Sequence, residues 1–171
     1  MTDPLLPGDI LARAEALLSR CRDLNLKLAT GESCTGGLIA AALTEIAGSS
    51  DVFERGFVTY SNEAKQELLS VPAEILERHG AVSAETAEAM ARGVLANARA
   101  DISVSVTGIA GPGGATETKP VGLVYLGFAC RKDSPAGGAC GHERHLFAGT
   151  RRDVRVASLT AALSIFERLT G

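Results

Sequence analysis

One stretch, Leu26–Leu43 (LKLATGESCTGGLIAAAL), constrains the fold of this chain more than any other. Leu26, Leu28 and Thr30 alternate with their neighbours as in a buried strand. A glycine and the polar run Glu32-Ser33-Cys34-Thr35 follow, then Gly36-Gly37. From Leu38 the residues are small and apolar at helical spacing. A strand, a tight polar turn and a helix put the turn at the carboxyl end of a strand, where open α/β sheets bind ligands. The first N–H groups of the helix have no partners within it and can face an anion. Ser33 in that turn is a nucleophile if a base lies near. Taken alone, such a turn reads first as a plain helix cap by Ser33 or Thr35, and the rest of the chain has to shift that reading.

Composition narrows the class. The chain has 171 residues, enough for one domain with a real core, and its 46% apolar and 22% charged content is that of a globular protein. A net charge of -3 argues against a general nucleic-acid binder. No apolar run reaches the roughly 18 residues of a membrane span. The acidic start MTDPLLPGD has no signal-peptide pattern. Four cysteines (Cys21, Cys34, Cys130, Cys140) form no dense framework, so the expectation is a cytoplasmic protein with reduced thiols.

Residues 1–8 read as a loose start, followed from Asp9 by a helical stripe of Ile10, Leu11, Ala14, Leu17, Leu18 and Cys21. The helix after the Ser33 turn is expected to reach about Ala47. Ser50, in the loop that follows, is a second candidate hydroxyl. Phe57–Ser61 reads as a strand of β-formers running into a helix capped by Ser61 or Asn62. Lys65 then lies in a first helical turn, where the macrodipole disfavours its charge, and burial would lower its pKa further. A neutral lysine can serve as a general base. Helices are expected over Val71–His79 and Ala84–Arg99.

Ile102–Val106, apolar at alternate positions, is a second strand that feeds a glycine-rich loop, Thr107–Gly114. The four glycines let backbone N–H groups approach a ligand. The loop is neither a Walker loop nor a dinucleotide fingerprint. Val121–Cys130 and His142–Ala148 are expected to pair as a hairpin. Its Cys130, Cys140, His142 and His145 match no zinc spacing, and no metal or other cofactor is expected. A final helix follows Thr150, with Arg151 and Arg152 in a first turn that favours anions over cations. The order predicts a single α/β domain over residues 1–171, a three-layer α/β/α sandwich with a mixed, mainly parallel sheet and a C-terminal antiparallel hairpin.

The segments ATGESCTGGLIAAALTEIAGSSDVFERGFVTYSNEAKQELLSVP, HGAVSAETAEAMARG and VTGIAGPGGATETKPVG closely resemble the CinA C-terminal domain family, the competence/damage-inducible proteins. The likeness runs from about residue 8 to residue 169 and includes stand-alone nicotinamide-nucleotide amidases, which this chain resembles more than the larger members with an added N-terminal domain. The resemblance implies hydrolysis of nicotinamide mononucleotide to nicotinate mononucleotide and ammonia, by a Ser/Lys pair, in pyridine-nucleotide recycling. Carried onto matching positions, it implies Ser33, Ser50, Tyr60 and Lys65 as catalytic groups. Thr107 and Arg151 are implied at the substrate, and the glycine-rich turn and loop themselves add Thr35, Gly36, Gly37, Gly108, Gly111 and Gly113 as expected substrate-binding positions. Ser33 is preferred as nucleophile because its glycine-rich turn supplies exposure and N–H donors, with Ser50 as the alternative. Gly113 stands where the family often has aspartate. The expected partner is a small nucleotide, with no nucleic acid and no membrane, and the expected assembly is a homodimer. The competing readings are a non-catalytic nucleotide-binding or assembly module and an amidase for another small carboxamide.

Overall fold

The computed structural model describes residues 6–171. Residues 1–5 of the expected loose start lie outside them. The first helix, α1, spans Gly8–Asp23, and its buried side chains are Ile10, Ala14, Leu17, Leu18 and Cys21. Strand β1 (Leu28–Glu32) is buried throughout and leads through the Ser33–Gly37 turn into α2 (Leu38–Thr44). A 3-10 turn, Ser49–Asp51, precedes β2 (Phe53–Val58). The helices α3 (Asn62–Leu69), α4 (Ala73–His79) and α5 (Ala84–Ala96) follow, then β3 (Ile102–Gly108), β4 (Leu123–Cys130), β5 (Cys140–Leu146) and α6 (Arg151–Leu169).

Local chemistry sets most boundaries. The Ser61 and Ser83 hydroxyls cap α3 and α5 by accepting from the N–H groups of Ala64 and Thr86. Thr150 and Asp153 form a reciprocal capping box at α6. Its Asp153 also supplies a negative charge to the turn that carries Arg151 and Arg152.

The five strands form one mixed sheet in the order β2-β1-β3-β4-β5. The core β2-β1-β3 is parallel, and β4 and β5 are antiparallel. Helices α1, α2 and α6 pack on one face through residues such as Leu17, Ile39, Leu163 and Phe166. On the other face α3, α4 and α5 contribute Leu69, Leu76, Met90 and Val94. The result is the three-layer α/β/α sandwich that the order of elements predicts.

Strand β3 explains how α5 sits so close. Ile102, Val104 and Val106 point into the first core. The alternate residues carry hydroxyls that donate to carbonyls on the other face: Ser103 to Ala91, Ser105 to Ala87 and Thr107 to Ala81, at 2.6–2.8 Å. Opposite Ser105 on β4 is Gly127, where any Cβ would overlap the Ala87 carbonyl.

Several expected boundaries shift: α2 ends at Thr44 rather than about Ala47, α5 at Ala96 rather than Arg99, and the last strand covers Cys140–Leu146 rather than His142–Ala148. The second strand lies earlier than Phe57–Ser61, at Phe53–Val58. It contains Gly56, which lets Thr30 and Ala40 approach where a Cβ would sit. After Val58 the Thr59 N–H still bonds the Glu32 carbonyl, and the chain then leaves the sheet to be capped by Ser61. The hairpin also separates its four metal-type side chains. Cys140 faces Ala129 across the ladder, so Cys130 and Cys140 point to opposite sides of the sheet. His142 pairs with Glu88 of α5 at 2.8 Å, and His145 with Glu143 at 3.0 Å. No cluster of metal-type side chains occurs among the described residues.

Candidate active site at the carboxyl ends of β1 and β3

Ser33 follows directly on the central strand. Its N–H donates to the Val106 carbonyl at 2.9 Å, extending the β1–β3 ladder by one residue beyond Glu32. The side chain is thereby fixed at the carboxyl end of the sheet. Lys65 comes from the first turn of α3, and its Nζ lies 3.0 Å from Ser33 Oγ. The same Nζ donates to the Thr59 carbonyl at 2.8 Å and reaches the Ser61 carbonyl at 3.5 Å.

Lys65 is only 1% exposed, and no carboxylate pairs with it among the described residues. A buried ammonium without a counter-charge is costly. Burial pushes the Lys65 pKa below its ordinary value, opposed weakly by the nearby Cys34 thiol. A lysine of lowered basicity in contact with a serine hydroxyl is the arrangement a general base needs.

Cys34 borders the same space. Burial pushes its thiol up to about 11, so it is protonated at neutral pH and a weak nucleophile. The hydroxyl of Ser33, in contact with Lys65, is therefore the better-activated group.

The pocket has a volume of about 200 Å³ and is lined by Ser33, Cys34, Tyr60, Lys65, Thr107 and Arg151, with Gly108 and small apolar residues completing the wall. The buried Thr107 hydroxyl is committed to the Ala81 carbonyl. At the mouth, the Arg151 guanidinium donates to the Tyr60 hydroxyl at 2.9 Å and to the Gly111 carbonyl at 2.8 Å. Tyr60 accepts there and is 61% exposed, so its own O–H is available to another group. Larger concavities occur elsewhere, such as one of about 370 Å³ beside Cys21 and Lys27. That concavity holds no hydroxyl beside a buried lysine among the described residues.

The remaining expected site residues are placed differently. Thr35 turns its hydroxyl to the Glu32 carboxylate at 2.7 Å, away from the pocket lining. Gly36 and Gly37 have φ of 59° and 96°, left-handed values that glycine adopts without strain. Their N–H groups are already used, Gly36 on the Ser33 carbonyl and Gly37 on Glu32. Gly111 is buried and contributes its carbonyl to Arg151, while Gly113 faces open space. Ser50 is exposed in the 3-10 turn that precedes β2, at the opposite end of the parallel strands from Ser33.

Sequence reasoning missed the role of Glu32. Its carboxylate is 1% exposed and accepts from the N–H groups of Gly37, Ile39 and Ala40 at 2.9–3.1 Å. It thus occupies the N-terminus of α2, a place left open for a ligand anion in the sequence reading. A signal was present: Gly37 stands at the N-cap and has no side chain to cap with, so the cap had to come from elsewhere. Of the turn, the N–H groups of Cys34 and Thr35 have no oxygen acceptor among the described residues. Arg155 of α6 braces the turn from behind by donating to the Thr35 carbonyl at 2.9 Å.

A family model for the CinA C-terminal domain matches residues 11–170. The chain is 51% identical over 147 residues to a CinA-like protein of Citrifermentans bemidjiense, covering 86% of this chain and 34% of that protein. A CinA-like protein of Geobacter sulfurreducens is 48% identical over 147 residues, with the same coverage of 86% and 34%. The chain thus spans about a third of the length of these curated relatives. The crystal structure of the competence/damage inducible protein CihA from Agrobacterium tumefaciens superposes with a TM-score of 0.93 at 47% identity, covering 98% of this chain and 99% of that one. A CinA superfamily protein from Escherichia coli gives 0.87 at 33% identity, with 98% and 95% covered. The matches extend through the sheet and both helical layers, and the chain belongs to the CinA C-terminal domain family.

Proposed function

We propose that this domain is an amidohydrolase that converts nicotinamide mononucleotide to nicotinate mononucleotide and ammonia through Ser33 and Lys65. The observation that carries the reading is the 3.0 Å contact between Ser33 Oγ and a buried Lys65 Nζ that no carboxylate neutralises. Family membership supports a CinA-type domain, and the substrate comes from the resemblance.

In the first half-reaction Lys65 takes the Ser33 proton as Oγ attacks the carboxamide carbon. The tetrahedral oxyanion faces the Cys34 N–H group, the donor of the turn that borders the pocket. Collapse breaks the C–N bond, and Lys65 returns the proton to the leaving nitrogen, releasing ammonia and an acyl ester on Ser33. Water then attacks the ester with Lys65 again as base. The carboxylate leaves and Ser33 regains its proton.

The pocket is smaller than the roughly 300–1,000 Å³ of sites that enclose a drug-sized ligand. It suits the ring and its carboxamide, with ribose and phosphate extending over the rim. Arg151 and the exposed Tyr60 hydroxyl stand at that rim to meet them. The test is ammonia release from nicotinamide mononucleotide, with nicotinamide and nicotinamide riboside in parallel and a chelator in one arm. Turnover of the mononucleotide alone, unchanged by chelator, is the expected result. Release from a different carboxamide would replace the substrate, and no release from a folded protein that still binds the nucleotide would favour the binding-module reading.

A further inference from the structure

We propose that Glu32 is a positioning residue for the nucleophile: its carboxylate holds the Ser33–Thr35 arch in the geometry that acylation requires. The proposal rests on the reading of Ser33 and Lys65 as a catalytic pair, but not on the identity of the substrate.

Glu32 Oε2 accepts from the Thr35 hydroxyl at 2.7 Å and from the Gly37 and Ile39 N–H groups at 3.1 Å. Oε1 accepts from the Ala40 N–H at 2.9 Å, with Thr30 Oγ1 more distant at 3.4 Å. No lysine or arginine lies within ion-pair distance among the described residues. The buried charge is balanced by donors alone, most of them the otherwise unpaired N–H groups that begin α2.

The span of these bonds distinguishes them from an ordinary cap. A normal cap sits at the N-cap itself and bonds two or three residues on. Here the N-cap is Gly37, and the capping oxygen comes from five residues upstream, on the far side of the nucleophile. Glu32 and residues 35–40 are therefore the two feet of an arch, with Ser33 and Cys34 between them. The backbone of Glu32 is held in the sheet by its pairing with β2 and β3. Fixing the other foot to the same residue's side chain defines where Ser33 Oγ meets Lys65. It also draws the Gly37 N–H inward and leaves those of Cys34 and Thr35 free. The carboxylate fills the α2 terminus, so that terminus offers no site to a substrate phosphate.

Glu32→Gln tests this. One amide oxygen can satisfy the three-donor site, and the amide nitrogen then opposes the Ala40 N–H. Two rates are measured on the folded protein, with its folded fraction checked by circular dichroism. The first is ammonia release from nicotinamide mononucleotide. The second is acetylation of Ser33 by p-nitrophenyl acetate, in which Oγ takes the acetyl group and p-nitrophenolate leaves, followed by colour and by the mass of the Ser33 peptide. The expected result is a fall of about 10²-fold in kcat and in the acetylation rate, with KM and the midpoint of the rise in rate with pH unchanged. Thr35→Val removes one donor without touching the backbone cap and serves if Glu32→Gln does not fold, with an expected fall of about tenfold in both rates. A folded Glu32→Gln protein, or a folded Thr35→Val protein in its place, that acetylates at the wild-type rate overturns the proposal, as does a loss that merely follows the folded fraction. A wild type acetylated on Ser33 but inert to the mononucleotide overturns the substrate reading alone. A wild type that is not acetylated on Ser33 overturns the proposal, and one that also releases no ammonia overturns the substrate reading with it.

Discussion

Replacing Lys65 by methionine tests the base and its burial with one variant. The side chains have similar length, and methionine carries no charge and no donor. Activity is expected to fall by at least about 10²-fold, the lower end of what a positioned base contributes. Stability responds in two opposing ways. The Thr59 carbonyl, which accepts from Nζ at 2.8 Å, loses its partner, at about 1–3 kcal/mol for a buried unsatisfied acceptor. Against this, the variant no longer buries an ammonium, and each tenfold weakening of lysine basicity in the fold represents about 1.4 kcal/mol at neutral pH. The net sign at one pH is therefore uninformative, but the pH dependence is not. Burial lowers the folded-state pKa of Lys65 below its ordinary 10.5. Between the folded value and 10.5 the unfolded chain binds more protons than the folded one, so wild-type stability rises with pH across that window. Below the folded value the penalty is fully present, and above 10.5 it is gone. Urea unfolding of both proteins from neutrality to pH 10.5 should show the wild type gaining on the methionine variant. The rise in wild-type kcat/KM should centre on the folded value that opens this window. Parallel stability curves would show that Lys65 is not desolvated, and near-normal turnover in the variant would sink the dyad.

Three further outcomes follow from the same geometry. Ser33→Ala should abolish turnover, while Ser50→Ala, exposed and at the other end of β1, should leave kcat/KM at the wild-type value; the reverse result would move the nucleophile to Ser50. Tyr60→Phe removes the hydroxyl that accepts from Arg151, and a rise in KM of up to about tenfold with little change in kcat is expected from steady-state kinetics. Gly127→Ala places a Cβ against the Ala87 carbonyl and should destabilise the fold by about 1–3 kcal/mol, read as a lower urea midpoint.

Much of the fold was legible because periodicity and caps agreed. The stripe of α1, the alternation of β3 and the residues Ser61 and Thr150 before their helices are local signals, and each element formed where they coincide. Strand β2 was read four residues late because Phe57–Ser61 has the better β-formers. What decides its position is pairing: β1 supplies five partners between Phe53 and Val58, with a register shift that passes over Glu54, and a glycine inside that run is favoured by close packing on Thr30 and Ala40. The hairpin's four metal-type residues look clustered along the chain. A strand sends successive side chains to opposite faces, so the four split two and two, Cys140 with His142 on one face and Cys130 with His145 on the other.

The site was legible in its parts and not in its bonds. Lys65 could be placed in a first helical turn from its neighbours alone, but its burial depends on Ser33 and Thr59 arriving from β1 and the end of β2. The Ser33–Lys65 contact joins residues 32 apart in sequence, and no local pattern reports it. The Ser33 turn carried a subtler ambiguity. An unpartnered helix N-terminus after a polar turn has the same appearance whether it awaits a ligand anion or an internal one. Glu32 resolves it, since a carboxylate covalently attached to the turn meets the N–H groups without the translational entropy that a free anion must lose. An acidic residue just before such a turn, combined with glycine at the N-cap, therefore favours an internally filled terminus. The N–H groups the carboxylate does not reach are those of Cys34 and Thr35, and of the two residues only Cys34 borders the pocket beside the Ser33 hydroxyl.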